Sequence, residues 1–183
     1  MSTSPLEQKQ FPIGKFEKPH SISSTQIQQW IIIIKTFPKT LRKLVDPLSK
    51  DDLKLTYRLN GWNIQQLVHH CADSHMNSFI RFKLGLTEDS PTIKPYFEDR
   101  WATLPDTLQV DISESLKILE GLHIRWTTLL ESLSSKDLKR VFIHPEHGQS
   151  ISLAENIGLY AWHCNHHLAH IEQALQYQNN NEK

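Results

Sequence analysis

Histidines His69, His70 and His75 stand in the run VHHCADSHMNS, and His163, His166, His167 and His170 in WHCNHHLAH, far along the chain. They are seven of the eleven histidines in 183 residues. Neutral imidazole is the commonest metal-ligating side chain, and two imidazoles one helical turn apart can face a single ion. An i,i+4 pair brings Cβ atoms to ~5–6 Å, which suits two rings meeting a zinc ion at ~2.0–2.1 Å. His163 and His167 are such a pair. Two dense clusters at distant points of one small chain imply a metal held between two helices.

Rings held that way need helices behind them, and the apolar spacing supplies four. Ser23 with Gln26 matches a Ser-x-x-Gln capping box; it opens a helix to about Val45 through Ile27, Trp30, Ile31, Ile34, Leu41 and Leu44. The β-branched run 31–34 resembles a strand, but the flanking periodicity exceeds strand length. Pro38 should kink this helix, because it lacks a backbone donor and crowds the preceding turn. Asn63 as N-cap with Gln66 opens a second helix, striped by Ile64, Leu67, Cys71, Ser78 and Phe82 and ending near Gly85. The stretch 87–110, rich in prolines and turn pairs and carrying Tyr96 and Trp101, reads as a long crossover. Ser113, Leu116, Leu119, His123, Trp126 and Leu130 mark a third helix. Residues 142–151 alternate around Pro145-Glu146-His147-Gly148, as in a small hairpin. Ser152 and Glu155 form a full capping box opening the last helix, to about Tyr177. Residues 1–22 carry Pro5, Pro12, Gly14 and Pro19 and read as an extended N-terminal arm, with a bundle domain over 23–178 and a polar tail over 179–183. The expected fold is all-α: a four-helix bundle with long crossover loops.

At ~100° per residue the last helix has a stripe of Leu153, Ile157, Cys164, Leu168, Ile171 and Leu175. His167 borders that stripe and His163 lies one turn earlier on the same flank. His166 points nearly opposite, and His170 sits farther round. In the second helix His69 faces away from the stripe, toward solvent. His70 flanks the stripe and His75 lies nearer its centre. Rotation slightly favours His75 as the inward ring, depth along the bundle bears equally on the choice, and the pattern leaves it open. The blander reading is a set of surface or core histidines bonded to their neighbours. Like charges at this spacing cost only ~0.2–0.5 kcal/mol, whereas a structural zinc returns on the order of 10 kcal/mol. A same-flank pair plus a second cluster favours the metal.

The other candidates are weaker. Cys71 and Cys164 fall on the core stripes and read as small buried hydrophobes. Asp73 follows His70 by three residues and could orient an imidazole or simply be solvated. Arg81 could meet an anionic substrate group or pair with a surface acid. The His-x-x-x-His motif has Cys164 where zincin proteases carry their glutamate base, and the chain has no Walker loop, GxSxG or GxGxxG. Twenty basic and twenty acidic residues cancel, so no global field favours nucleic acid or an anionic membrane. No apolar run approaches the ~20 residues of a membrane span, the start lacks a secretory pattern, and two cysteines make no disulfide framework. A soluble cytoplasmic chain is expected.

These residues also resemble a known family, the DinB/YfiT-like four-helix-bundle proteins, and within it the YfiT-type metal-dependent hydrolases. The likeness runs over nearly the whole chain. It takes in Phe11-Pro12-Ile13-Gly14, Gly61-Trp62, Val68-His69-His70, Ala72-Asp73-Ser74-His75-Met76-Asn77-Ser78 and Ile80-Arg81-Phe82-Lys83-Leu84. It continues through Arg125-Trp126, His144-Pro145, Gly158-Leu159-Tyr160, Trp162-His163, His166-His167 and Ala169-His170. The resemblance implies metal ligands at His70, His163 and His167, one zinc ion per subunit with nickel as an alternative, and a cytoplasmic homodimer. It implies a hydrolase acting on a small molecule, with no catalytic residue assigned beyond the ligands. Related members transfer low-molecular-weight thiols, so a bacillithiol-type S-transferase is the second expectation. A metal-stabilised scaffold is the third; it would close the coordination with His75, His170 or a cysteine. Three protein ligands and one open position separate a catalytic from a structural zinc site.

Overall fold

The computed structural model describes residues 4–146 and 148–181. His147 of the expected turn and residues 182–183 of the expected tail lie outside that range. Side chains that accept free backbone N–H groups start the helices. Ser4 caps α1 (Pro5–Gln10) through Glu7 N–H, so the arm that was expected to be extended carries a helical turn. Ser23 accepts from Gln26 N–H at 3.2 Å and opens α2 (Ser24–Val45). Asn63 and Gln66 exchange both bonds of a capping box, at 2.8 and 3.0 Å, to open α3 (Ile64–Thr87). Two short helices, α4 (Glu98–Trp101) and α5 (Pro105–Gln109), interrupt the crossover; Pro105 suits the first position of the second because its fixed φ is already helical. Asp111 caps α6 (Ile112–Glu131) through Ser113 N–H at 2.8 Å. Strands β1 (Val141–His144) and β2 (Gln149–Ser152) pair antiparallel, with Val141 opposite Ser152. Ser152 Oγ then accepts from Glu155 N–H at 3.1 Å to start α7 (Leu153–Asn181), which runs a turn past its expected end.

Helix α2 packs mainly on α6 and α7, and α3 packs mainly on the same two. Helices α2 and α3, and likewise α6 and α7, therefore occupy opposite corners of the bundle, while α3 and α6 are neighbours. Joining opposite corners needs long connections, which 46–63 and 132–152 supply; 88–111 is also long, although the two helices it joins are neighbours. The same arrangement seats α3 beside α7. Ile34, Phe37 and Leu41 of α2, Leu67 and Phe82 of α3, Leu119 and Trp126 of α6, and Ile157 and Ile171 of α7 fill the core. Among the described residues, no helix is long and apolar enough to cross a membrane.

Helix α2 continues through Pro38. Proline has no N–H for the carbonyl four residues back, so Ile34 loses its helix donor. The buried ring of His123 takes that place, its Nδ1 lying 2.6 Å from the Ile34 oxygen. At the other end of the bundle, Arg140 donates to the carbonyls of Gly85 and Glu88 at 2.6 and 2.8 Å, closing the C-terminus of α3. Ile143 N–H donates to Pro91 and Ile93 N–H to Ile143, at 2.9 and 3.0 Å. These bonds pin the crossover to β1 and fix the start of the segment bearing Tyr96 and Glu98.

The tight packing of α2 on α7 is testable at Gly158, where a Cβ would lie 2.8 Å from Trp30 Cη2. Overpacking costs about 1–3 kcal/mol, against about 1 kcal/mol gained in helix propensity. Gly158→Ala should therefore destabilise the fold by about 1 kcal/mol. In a Trp30→Leu background the same change should stabilise it, which urea denaturation of the four proteins reads as a change of sign.

Candidate metal centre

Because α3 and α7 are neighbours, His70 meets His163 and His167 across their interface. His163 Nε2 lies 3.3 Å from His70 Nε2 and 3.1 Å from His167 Nε2. All three donor atoms fall within 4.8 Å of one another. Zinc bonds of ~2.0–2.1 Å at tetrahedral angles would set nitrogens about 3.3–3.4 Å apart. Three imidazole nitrogens at this spacing suit zinc and similar nitrogen-preferring ions, so the group can hold a metal ion.

The rings are in the protonation state that ligation needs. His70 and His167 are buried and His163 is half-buried. Burial holds His70 at about 4. Burial first, and then the neighbouring imidazoles, holds His163 and His167 well below the ordinary histidine value. Neutral rings expose a lone pair to a cation, and metal affinity rises as that lone pair is freed of its proton.

The two rings that α7 brings to this group each have a partner behind them. His163 Nδ1 lies 3.1 Å from His75 Nε2, and His75 Nδ1 lies 2.8 Å from His123 Nε2. His167 Nδ1 faces His170 Nδ1 at 3.4 Å, and His170 Nε2 donates to the carbonyl of Gln10 in the arm at 3.1 Å. Ser74 Oγ stands 3.4 Å from His163 Nε2, while Tyr160 OH donates to the Ser74 carbonyl at 3.1 Å. Two cavities meet at His163. One, of about 450 Å³, is walled by Ser74, Arg81, Tyr96, Glu98 and Tyr160. The other, of about 490 Å³, is walled by Tyr57, Trp62, His70, Trp162 and His167, with Glu98 and Asp99 bordering both.

Several single-helix expectations change in the assembled bundle. His69, expected in solvent, is buried: its Nδ1 lies 2.7 Å from Ser115 Oγ and its Nε2 donates to Val110 at 3.2 Å. The cause is α6 and the segment before it, which cover the face of α3 opposite α7. His166, pointing away from the core stripe, is also buried, stacked on Trp162 at 4.3 Å and on Phe11 of the arm at 5.9 Å. His166, His167 and His170 form a second group of donors within the same limit. Cys71 and Cys164 are core hydrophobes whose thiols burial pushes up. Asp73 is half-buried, its carboxyl raised by burial to about 6; among the described residues it makes no hydrogen bond to His70. Residues that sequence reasoning passed over are His123, Tyr160 and Trp62. For His123 the signal was available: an imidazole in the middle of an otherwise apolar stripe.

With this geometry in view, comparison with known proteins is informative. A family profile described as the DinB superfamily matches residues 34–171. A Bacillus cereus protein named "Putative metal-dependent hydrolase" is 52% identical over 162 residues, 88% of this chain and 92% of that protein. A Bacillus thuringiensis protein of similar name matches to the same extent. The solved structure of YfiT from Bacillus subtilis, described as "a probable metal-dependent hydrolase with an unusual four-helix bundle topology", superposes with a TM-score of 0.92. It is 43% identical, over 94% of this chain and 98% of its own. A mycothiol-dependent maleylpyruvate isomerase shares the fold at a TM-score of 0.58, with 11% identity over 76% of this chain and 60% of its own. By sequence profile, by relatives and by fold, the chain belongs to the DinB superfamily and is of the YfiT type.

Proposed function

We propose that this chain is a metal-dependent hydrolase in which the Nε2 atoms of His70, His163 and His167 hold one zinc ion. The observation that carries the reading is the convergence of those three nitrogens where two cavities meet. The names of its Bacillus relatives support the hydrolase class. Held by these three imidazoles, zinc would supply a nucleophile from water near pH ~7 and polarise a substrate oxygen.

The rest of the chemistry belongs to the cavity walls. The hydroxyl of Ser74, beside His163 and hydrogen-bonded at 3.2 Å to Tyr160 OH, is placed to hold a water or a substrate oxygen. Arg81 and Glu98 set charges of both signs around the cavity of about 450 Å³. Trp62 and Trp162 supply apolar wall on the other side. The substrate that fits is a small polar molecule with an ester, amide or phosphoester bond.

Metal analysis of the purified protein should find about one zinc per chain, with His163→Ala and His167→Ala losing at least about tenfold. With zinc added, a panel of esters, amides and phosphoesters should show turnover that falls at least about 100-fold in His70→Ala. Thiol-dependent conjugation of an electrophile without hydrolysis would reassign the chain to group transfer. Silence in both assays with zinc retained would leave a scaffold.

The metal-free protein carries a second test. His70 and His123 are held at about 4 by burial, against ~6.5 in an unfolded chain. Below ~6.5 the unfolded chain takes up protons that the folded chain refuses, so stability falls with pH and levels off only below about 4. Each such imidazole contributes a slope of about 1.4 kcal/mol per pH unit. Denaturant midpoints with chelator present should drop between about pH 7 and pH 5; a flat profile would show that these rings are already charged in the fold.

A further inference from the structure

We propose that His123 and His75 form a one-way imidazole relay, anchored on the Ile34 carbonyl, that fixes the tautomer of His163 and turns its Nε2 lone pair to the metal centre. The relay rests on the three-histidine reading above and assigns two positioning residues to it.

The direction follows from counting protons. A carbonyl oxygen only accepts, so the 2.6 Å contact with Ile34 requires the proton on His123 Nδ1. A neutral ring with its proton there has a bare Nε2. The 2.8 Å contact between His123 Nε2 and His75 Nδ1 must then be bridged by a proton from His75. That leaves His75 Nε2 bare, so the 3.1 Å contact with His163 Nδ1 takes its proton from His163. His163 Nε2 is thereby left without a proton, and it is the nitrogen that faces His70 and His167. Any other arrangement puts two protons or none in one of three buried contacts. Burial, which holds His123 at about 4 and His75 well below its ordinary value, keeps the rings neutral.

The anchor exists because of a proline. In an unbroken helix the Ile34 carbonyl would take the N–H of residue 38, and Pro38 has none. Phe37 flanks both relay rings, at 5.1 Å from His75 and 5.6 Å from His123, and Trp126 and Tyr160 meet His75 edge-on at 5.7 and 5.5 Å. His75 has no exposed surface and His123 has 2%, so water does not supply an alternative partner. The second ligand of α7 is arranged in the same sense. Gln10 accepts from His170 Nε2, and the bare Nδ1 of His170 takes the proton of His167 Nδ1, so that His167 Nε2 is also bare. Hydrogen bonds behind a ligating imidazole fix its tautomer and raise its basicity, and their loss typically costs ~10–100-fold in metal affinity.

The test uses the full chain. Long-range ¹H–¹⁵N correlation spectra of the metal-free wild type should show His123, His75 and His163 all protonated on Nδ1, and added Zn²⁺ should shift His163 Nε2. Competition with a chromophoric chelator should show His123→Leu binding zinc ~10–100-fold more weakly than wild type. His123→Gln, whose amide oxygen can accept from His75 Nδ1–H, should recover most of that loss. A His75 or His123 protonated on Nε2, or a folded His123→Leu with wild-type affinity, overturns the relay. Should His123→Leu fail to fold, the wild-type spectra and His123→Gln still decide. Wild type that binds no zinc overturns the three-histidine reading itself, while the apo spectra report the proton order independently.

Discussion

An imidazole removed from water keeps one proton and must place it. Seven histidines among the described residues are buried in this bundle, and a buried polar group without a partner costs about 1–3 kcal/mol. Much of the architecture around α3, α6 and α7 answers that constraint. His69 is settled by Ser115 and Val110 on one side of α3, and His75 by His123 and His163 on the other. Rings with both nitrogens committed to protein are structural. Under the relay proposed above, the Nε2 atoms of His163 and His167 are instead left bare and converge with that of His70, and that electron-rich point is what a cation would satisfy.

The order of the helices makes the convergence possible. Helices α2 and α3 sit at opposite corners, as do α6 and α7, so α3 and α7, far apart in sequence, become neighbours. The long connections between the helices are put to use. One carries Tyr96, Glu98 and Asp99 over the open side of the site, held in place by backbone bonds to β1. Another ends in Trp62, whose ring lies 4.7 Å from that of His70. Close packing at Gly158 and the Arg140 cap at the end of α3 hold the frame on either side.

The helices were legible because their caps are local: Ser23, Asn63 and Ser152 each act on an N–H within three residues. The i,i+4 spacing of His163 and His167 was legible for the same reason. The choice between His70 and His75 was not. Both reach the same ring, His70 at Nε2 and His75 at Nδ1 of His163, so a helical wheel that asks only which residue points inward finds two valid answers. His69 was misplaced, and the cover over His166 was not visible, because the covering groups, α6 and the arm, belong to other parts of the chain. The short helices α1, α4 and α5 fall below the length at which periodicity speaks. His123 matters through a carbonyl exposed by Pro38, a tertiary coincidence between α2 and α6.

The N-terminal arm reaches the site through main-chain oxygens, Gln10 toward His170 and Lys9 toward Gln173, the latter at 3.0 Å. A ring that holds the arm at one nitrogen and steadies a neighbour at the other makes the two ends of the polypeptide thermodynamic partners. Whatever tightens His167 through His170 must fasten the segment around Gln10 by an equal amount of free energy, and whatever pulls that segment loose must relax His167 in return. The segment around Gln10 is thereby positioned to register the occupancy of a site shared between α3 and α7.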